Sequence, residues 1–127
     1  MSEETAYNID VNVKTDYLDI YSQPDDQRYV FSYHISISNL GNLPAQLLSR
    51  HWVITDANGK IKEVRGEGVI GEQPTIEPGE TYSYSSSAVL ETPIGCMEGS
   101  YDMRAEDGKQ FKAYIEPFRL SNPSILH

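Results

Sequence analysis

The residues most suggestive of chemistry run Gly66-Glu67-Gly68-Val69-Ile70-Gly71, which matches the spacing G-x-G-x-x-G. In dinucleotide folds such glycines bring the backbone close to a pyrophosphate at a helix N-terminus. Here Pro74 and Pro78 follow almost at once, and proline removes the donors and blocks the path of a helix. What the spacing still allows is a structural turn or bulge, or a backbone nest in which Gly66, Gly68 and Gly71 hold an anion beside Arg65. Glu63, Glu67 and Glu72 crowd the same segment and oppose that second reading. The histidines His34, His51 and His127 have neither the spacing nor the companions of a metal site, which needs three or four converging ligands. Ser49 and His51 are two apart and share one face of a strand, but no hydrolase turn or orienting carboxylate accompanies them. Cys96 has Glu98 rather than a cation nearby, which raises a thiol's pKa, and it is expected to be a buried or half-buried small apolar residue. Neither catalytic residues nor a cofactor is expected, so the chain reads as a non-enzyme.

Bulk charge narrows the partners. The 127 residues hold 10 Lys+Arg against 19 Asp+Glu, a formal charge of −9. Phosphate backbones are recognised chiefly by Lys and Arg, and no basic stripe is present, so nucleic acid is not an expected partner. The single cysteine cannot form an internal disulfide. An acidic beginning without a signal-like apolar run, and no stretch long enough to span a bilayer, make the cytoplasm the expected location and exclude a membrane role.

The elements that must carry these residues read as strands. Tyr29, Phe31, Tyr33, Ile35 and Ile37 alternate with small or polar residues, the period-two pattern of a half-buried strand. A second strand is expected from about Gln46 to Thr55, with Leu48, Trp52 and Ile54 in one phase. Arg50 shares the phase of Trp52, which predicts a bulge that shifts the register or an arginine that snorkels at the sandwich edge. Asn58-Gly59 predicts a tight hairpin with positive φ at both central residues, returning through Ile61 to about Val64. Gly66 to Gly79 reads as loop, Thr81 to Leu90 as strand, Met97 to Met103 as strand, and Glu106-Asp107-Gly108 as the turn into Phe111, Ala113 and Ile115. At the front, Ile9, Val11, Val13 and Thr15 open a strand that Tyr17 to Tyr21 could continue. Nine Tyr against three Phe and one Trp suit pleated, half-wet surfaces. Trp52 is expected in the core, and the apolar tail from Leu120 to His127 is expected to tuck against its own sandwich or a second subunit. The whole chain, 1–127, is read as one all-β domain: an immunoglobulin- or fibronectin-III-like two-sheet sandwich of about seven or eight antiparallel strands.

Several segments together resemble the bacterial ApaG proteins, also called CorD. They are Ser49-Arg50-His51-Trp52, Ile54-Thr55-Asp56, Gly59, Val64, the run Gly66 to Pro74, Pro78-Gly79-Glu80, Tyr82 and Tyr84, Leu90-Glu91-Thr92-Pro93, and Gly95, Met97, Gly99, Tyr101 and Met103. Ser85-Ser86-Ser87 and Glu116-Pro117-Phe118 depart from the family's usual residues. The resemblance implies a fibronectin-III-like sandwich, a role linked to cobalt tolerance and magnesium efflux, a pyrophosphate-binding loop, and related domains in eukaryotic proteins that act as interaction modules. The expected function is therefore a non-enzymatic protein-interaction domain with an unidentified protein partner. Its contact surface is expected at Tyr82 and Tyr84 or along the loop from Arg65 to Glu80. The alternative is a nucleotide or pyrophosphate site at Arg65, Gly66, Gly68 and Gly71. Direct binding of a divalent cation is a third reading, and the oligomeric state, a dimer included, is left open.

Overall fold

A computed structural model describes residues 7–125. The acidic start of the chain and the last residues of the apolar tail, His127 among them, lie outside the described residues. Eight strands follow one another: β1 (Ile9–Tyr17), β2 (Tyr29–Asn39), β3 (Ala45–Asp56), β4 (Ile61–Glu67), β5 (Thr75–Ile76), β6 (Thr81–Leu90), β7 (Ile94–Ala105) and β8 (Gln110–Ser121). They form two antiparallel sheets, β1-β2-β6 and β4-β3-β7-β8, with the two-residue β5 beside β3. Alternation places Phe31, Tyr33, Ile35 and Ile37 of β2 inside, facing Leu47, Trp52, Met97, Tyr101 and Met103 of the other sheet. This is the expected sandwich of immunoglobulin or fibronectin kind. Trp52 sits at its centre, edge-on to Tyr33 at 5.4 Å and to Phe118 at 5.9 Å between ring centroids.

Two irregularities set which residues face inward. On β3, Leu47 pairs with Met103 and Ser49 with Asp102, so Leu48 is an extra residue. A bulge of this kind turns the following residues over, and it lets Leu47 and Trp52 both point inward although they differ in parity. Arg50 is carried to the inner face with Trp52. On β8, Gly99 of β7 pairs with Ile115 and Met97 with Phe118, which leaves an extra residue at Glu116-Pro117, where proline has no amide to give the ladder. Ala113 and Ile115 before it, and Leu120 after it, are all buried.

Several expectations change in detail. Tyr17 ends β1, and Asp19–Tyr21 forms a short 3-10 turn instead of more strand. β4 extends to Glu67, and β5 interrupts the stretch read as loop. The Asn58-Gly59 turn has positive φ only at Gly59, at 82°. Asp56 takes up the strain differently: its Oδ1 accepts the amides of Asn58 and Lys60, and its own amide bonds Lys60. The result is a three-residue loop with a left-handed glycine, the next commonest hairpin after the two-residue type.

Candidate functional site

The two sheets differ in width. β1 lies near β8, so that side of the sandwich is closed, while at the other side β4 extends past β6. Between these two edges runs a cleft made of three adjoining hollows of about 160, 290 and 210 Å³. Its floor is Tyr33, Arg50, Trp52 and Ile54, with Lys62 and Val64 of β4 on one wall and Ser86 and Ser87 of β6 on the other. Side-chain contacts bracket its ends. Tyr82 Oη donates to Glu72 Oε2 at 2.8 Å, and Lys60 Nζ reaches Glu91 Oε1 at 3.4 Å. The Glu72 contact also holds the Tyr82 hydroxyl above the ordinary tyrosine range.

Arg50 is the charged centre of this cleft. Its Nη1 donates to the carbonyls of Gly68 at 2.8 Å and Glu67 at 3.2 Å. No carboxylate among the described residues lies within ion-pairing distance of it. Guanidinium has five donors in a planar fork suited to carboxylate or phosphate. With Nη1 engaged by carbonyls, Nη2 and Nε hold donors that no described side chain or backbone group accepts.

The glycine motif serves this arginine. Gly66 pairs with Arg50 across the ladder, and a Cβ there would sit 2.8 Å from Nη2, so glycine leaves the guanidinium room to lie over β4 where a larger residue would displace its tip. Gly68 has φ +62°, and a Cβ would stand 2.1 Å from the Glu72 carbonyl oxygen. Val69 and Glu72 then exchange amide-carbonyl bonds at 2.8 and 2.9 Å, closing a two-residue turn with Ile70 and Gly71 both at positive φ. The amide of Gly68 is bound to the Leu48 carbonyl, so the three glycines do not offer a fan of free amides. Arg65 is on the outer face of β4, opposite His51 in the ladder and 3.9 Å from Glu63, while Gly66 faces the cleft. Arg65 and Gly66 are therefore neighbours in sequence that look in opposite directions.

The other residues singled out from the sequence are placed as follows. Tyr84 is not on an exposed face: it is 7% exposed and shares a hydrogen bond with Tyr101 of the opposite sheet. The tyrosine phase of β6 turns inward because β2 and β6 pair in unbroken register. Burial raises the Tyr84 hydroxyl to about 12. Ser49 Oγ donates to Asp102 at 2.8 Å and His51 Nε2 contacts Glu63 at 3.0 Å, so each is engaged by a different carboxylate. Lys112 and Ser49 hold Asp102 below the usual carboxylate range. Cys96 is exposed rather than buried, because it alternates with the inward Met97. Among the described residues no three His, Cys, Asp or Glu side chains converge to hold a metal ion. Arg50 and Lys62 were missed as site residues; the signal was a cation in the phase of the core tryptophan.

Known proteins resemble this chain in sequence and fold. The family model described as ApaG domain matches residues 19–105. A protein of Aromatoleum aromaticum called "Protein ApaG" is 57% identical over 100% of both chains. Another of that name from Ectopseudomonas mendocina is 58% identical over 98% of each. A crystal structure titled as the putative ApaA protein from Bordetella pertussis superposes with a TM-score of 0.92 at 45% identity, covering 94% of this chain and 97% of that one.

Proposed function

The chain belongs to the ApaG domain family, and from that premise we propose that it is a non-enzymatic binding module that grips a protein partner in the cleft between β4 and β6. The observation that carries the reading is Arg50: a cation on the floor of an open cleft, without a carboxylate, beside aromatic rings. Buried or half-buried cations are retained where something neutralises them, and a partner's acidic group does so here. Ser49 and His51 are engaged by separate carboxylates and do not form a nucleophile-base pair, which supports a gripping rather than a reacting site. The nucleotide or pyrophosphate reading has less support, since the Gly68 amide is spent on Leu48 and Arg65 faces away from Gly66.

The test compares wild type, Arg50→Glu and Arg65→Glu in affinity capture from lysate. Partners should be kept by Arg65→Glu and lost with Arg50→Glu. Identical partners with all three proteins would remove the cleft from the proposal. The cobalt and magnesium link implied by the family is read as acting through that partner. Calorimetry of the chain with cobalt or magnesium ions should accordingly give only weak, nonspecific heats; a saturable micromolar site would restore direct cation binding.

A further inference from the structure

We infer that β6 receives an extended peptide strand carrying one carboxylate, which pairs with its open edge and seats that carboxylate on Arg50. The inference rests on the cleft reading above and names the occupant. Three features lead to it.

The first is the edge itself. β6 is ten residues long and runs Thr-Tyr-Ser-Tyr-Ser-Ser-Ser-Ala-Val-Leu, with no charge, no proline and no bulge against β2. Native sheets normally blunt an open edge with such devices. Asn39 donates its amide to Glu80 and Leu40 donates to Asn8, so odd-numbered residues of β2 bond toward β6. Antiparallel pairing then turns the main-chain groups of Tyr82, Tyr84, Ser86 and Ala88 toward β2. Those of Ser83, Ser85 and Ser87 face outward. β4, the other edge of the cleft, carries Lys62, Glu63, Arg65 and Glu67 and is protected by them.

The second is width. A strand added beside β6 would lie opposite β4 and cover the inner side chains Lys62 and Val64, which otherwise overhang the smaller sheet. Every second side chain of that strand would point into the cleft. One of them meets Arg50, whose Nη2 and Nε suit the two oxygens of a carboxylate. The remainder of the peptide is neutral or basic, because a chain of charge −9 repels a polyacidic one.

The third is Ile70. It is 62% exposed and held at φ 49°, a conformation that β-branched residues rarely adopt. Strain of this sort is found where a side chain is displayed for use, and Ile70 lines the cleft beside Ser85. It supplies an apolar contact at that end of the strand. A second copy of this chain is a weaker occupant, since its own β6 brings no carboxylate and both copies are strongly acidic.

The experiment selects a random decapeptide display library on the immobilised full chain, then measures the enriched peptides by titration and by amide shifts. Enriched sequences should share one Asp or Glu at a fixed position. Arg50→Gln should weaken them about 10- to 100-fold, as expected for a charge-assisted bond. N-methylation at alternate peptide amides and Ser85→Pro in the protein should each abolish binding, since both remove outward pairing groups. Should Ser85→Pro not fold, the N-methylated peptides and Arg50→Gln decide alone. Peptides that bind in the cleft with no acidic position, or that tolerate N-methylation, overturn the inference and leave the cleft reading standing. Enriched peptides whose shifts fall around His51 and Tyr114 on the outer face overturn both. No enrichment, dimers of this chain that Ser85→Pro dissociates, or the same shifts from pyrophosphate alone would each overturn the inference.

Discussion

Ile70 holds a β-branched side chain in left-handed backbone at the tip of the turn between Val69 and Glu72. Turns with two positive φ values favour Asn, Asp or Gly at both central positions. Ile70 is mostly exposed, so its side chain recovers little burial energy for the strain. Replacing it with Asn should therefore stabilise the protein, by about 1 kcal/mol, read as a higher urea midpoint with an unchanged slope. If Ile70 touches the partner, the same variant binds more weakly while folding better, the usual trade between stability and a displayed site. An unchanged or lower midpoint would mean that the turn is relaxed as it stands. Residue by residue, the glycine motif was visible in the sequence, but its purpose was not. Spacing shows three glycines; it does not show that one of them lies under an arginine sixteen positions earlier, a contact made only by the register of β3 against β4.

That register belongs to the strand as a unit. The alternation of β2 was readable because Phe31, Tyr33, Ile35 and Ile37 on one face alternate with Ser32, His34, Ser36 and Ser38 on the other. β3 was ambiguous because the bulge at Leu48 divides it into two phases, Ala45 and Leu47 inward before it and Trp52 inward after it. Arg50 in the phase of Trp52 announced the anomaly, and both devices expected for it occur together: a bulge, and an arginine at the mouth of the sandwich. β5 was unreadable, since two residues carry no period, and the end of β4 was hidden by glycines that look like loop. Deleting Leu48 tests how firmly the bulge fixes the fold. Without Leu48, Ser49 follows Leu47 directly, and plain alternation keeps Arg50 and Trp52 inward with Leu47. Inserting one Ala between Arg50 and His51 would instead turn Trp52 to solvent. The loss of a buried tryptophan alone costs about 3–5 kcal/mol, comparable to a domain's whole stability. The insertion should yield a chain without dispersed amide resonances, whereas the Leu48 deletion, which only straightens the strand, should fold. A well-dispersed insertion variant would show that the register can slip without penalty, and an unfolded deletion variant would show that the bulge itself holds the fold.

At the scale of the whole molecule, two sheets with apolar inner faces are joined in the core by the hydrogen bond between Tyr84 of β6 and Tyr101 of β7. Tyr101 is fully buried and Tyr84 nearly so. Burial raises both hydroxyls, Tyr84 to about 12 and Tyr101 further, because a phenolate between the sheets would lose its hydration. An unfolded chain releases these protons near the ordinary value of about 10. Above that value the unfolded state binds fewer protons than the folded one, so stability falls as pH rises. The contribution is complete below pH of about 10 and is lost progressively as pH climbs through 12. For Tyr84 alone the loss amounts to roughly 1–3 kcal/mol. The acidic surface worsens matters by repulsion in the same range, but that part is shared by any variant with the same charges. Comparing wild type with Tyr84→Phe/Tyr101→Phe isolates the core pair. Urea midpoints measured from pH 9 to 12 should fall more steeply for wild type than for the double variant, with tyrosinate absorbance appearing together with loss of the strand signal. Parallel slopes, or tyrosinate formed by Tyr84 while the sandwich stays intact, would mean that the pair is reached by solvent through the cleft mouth, which lies directly above Tyr84 and Arg50.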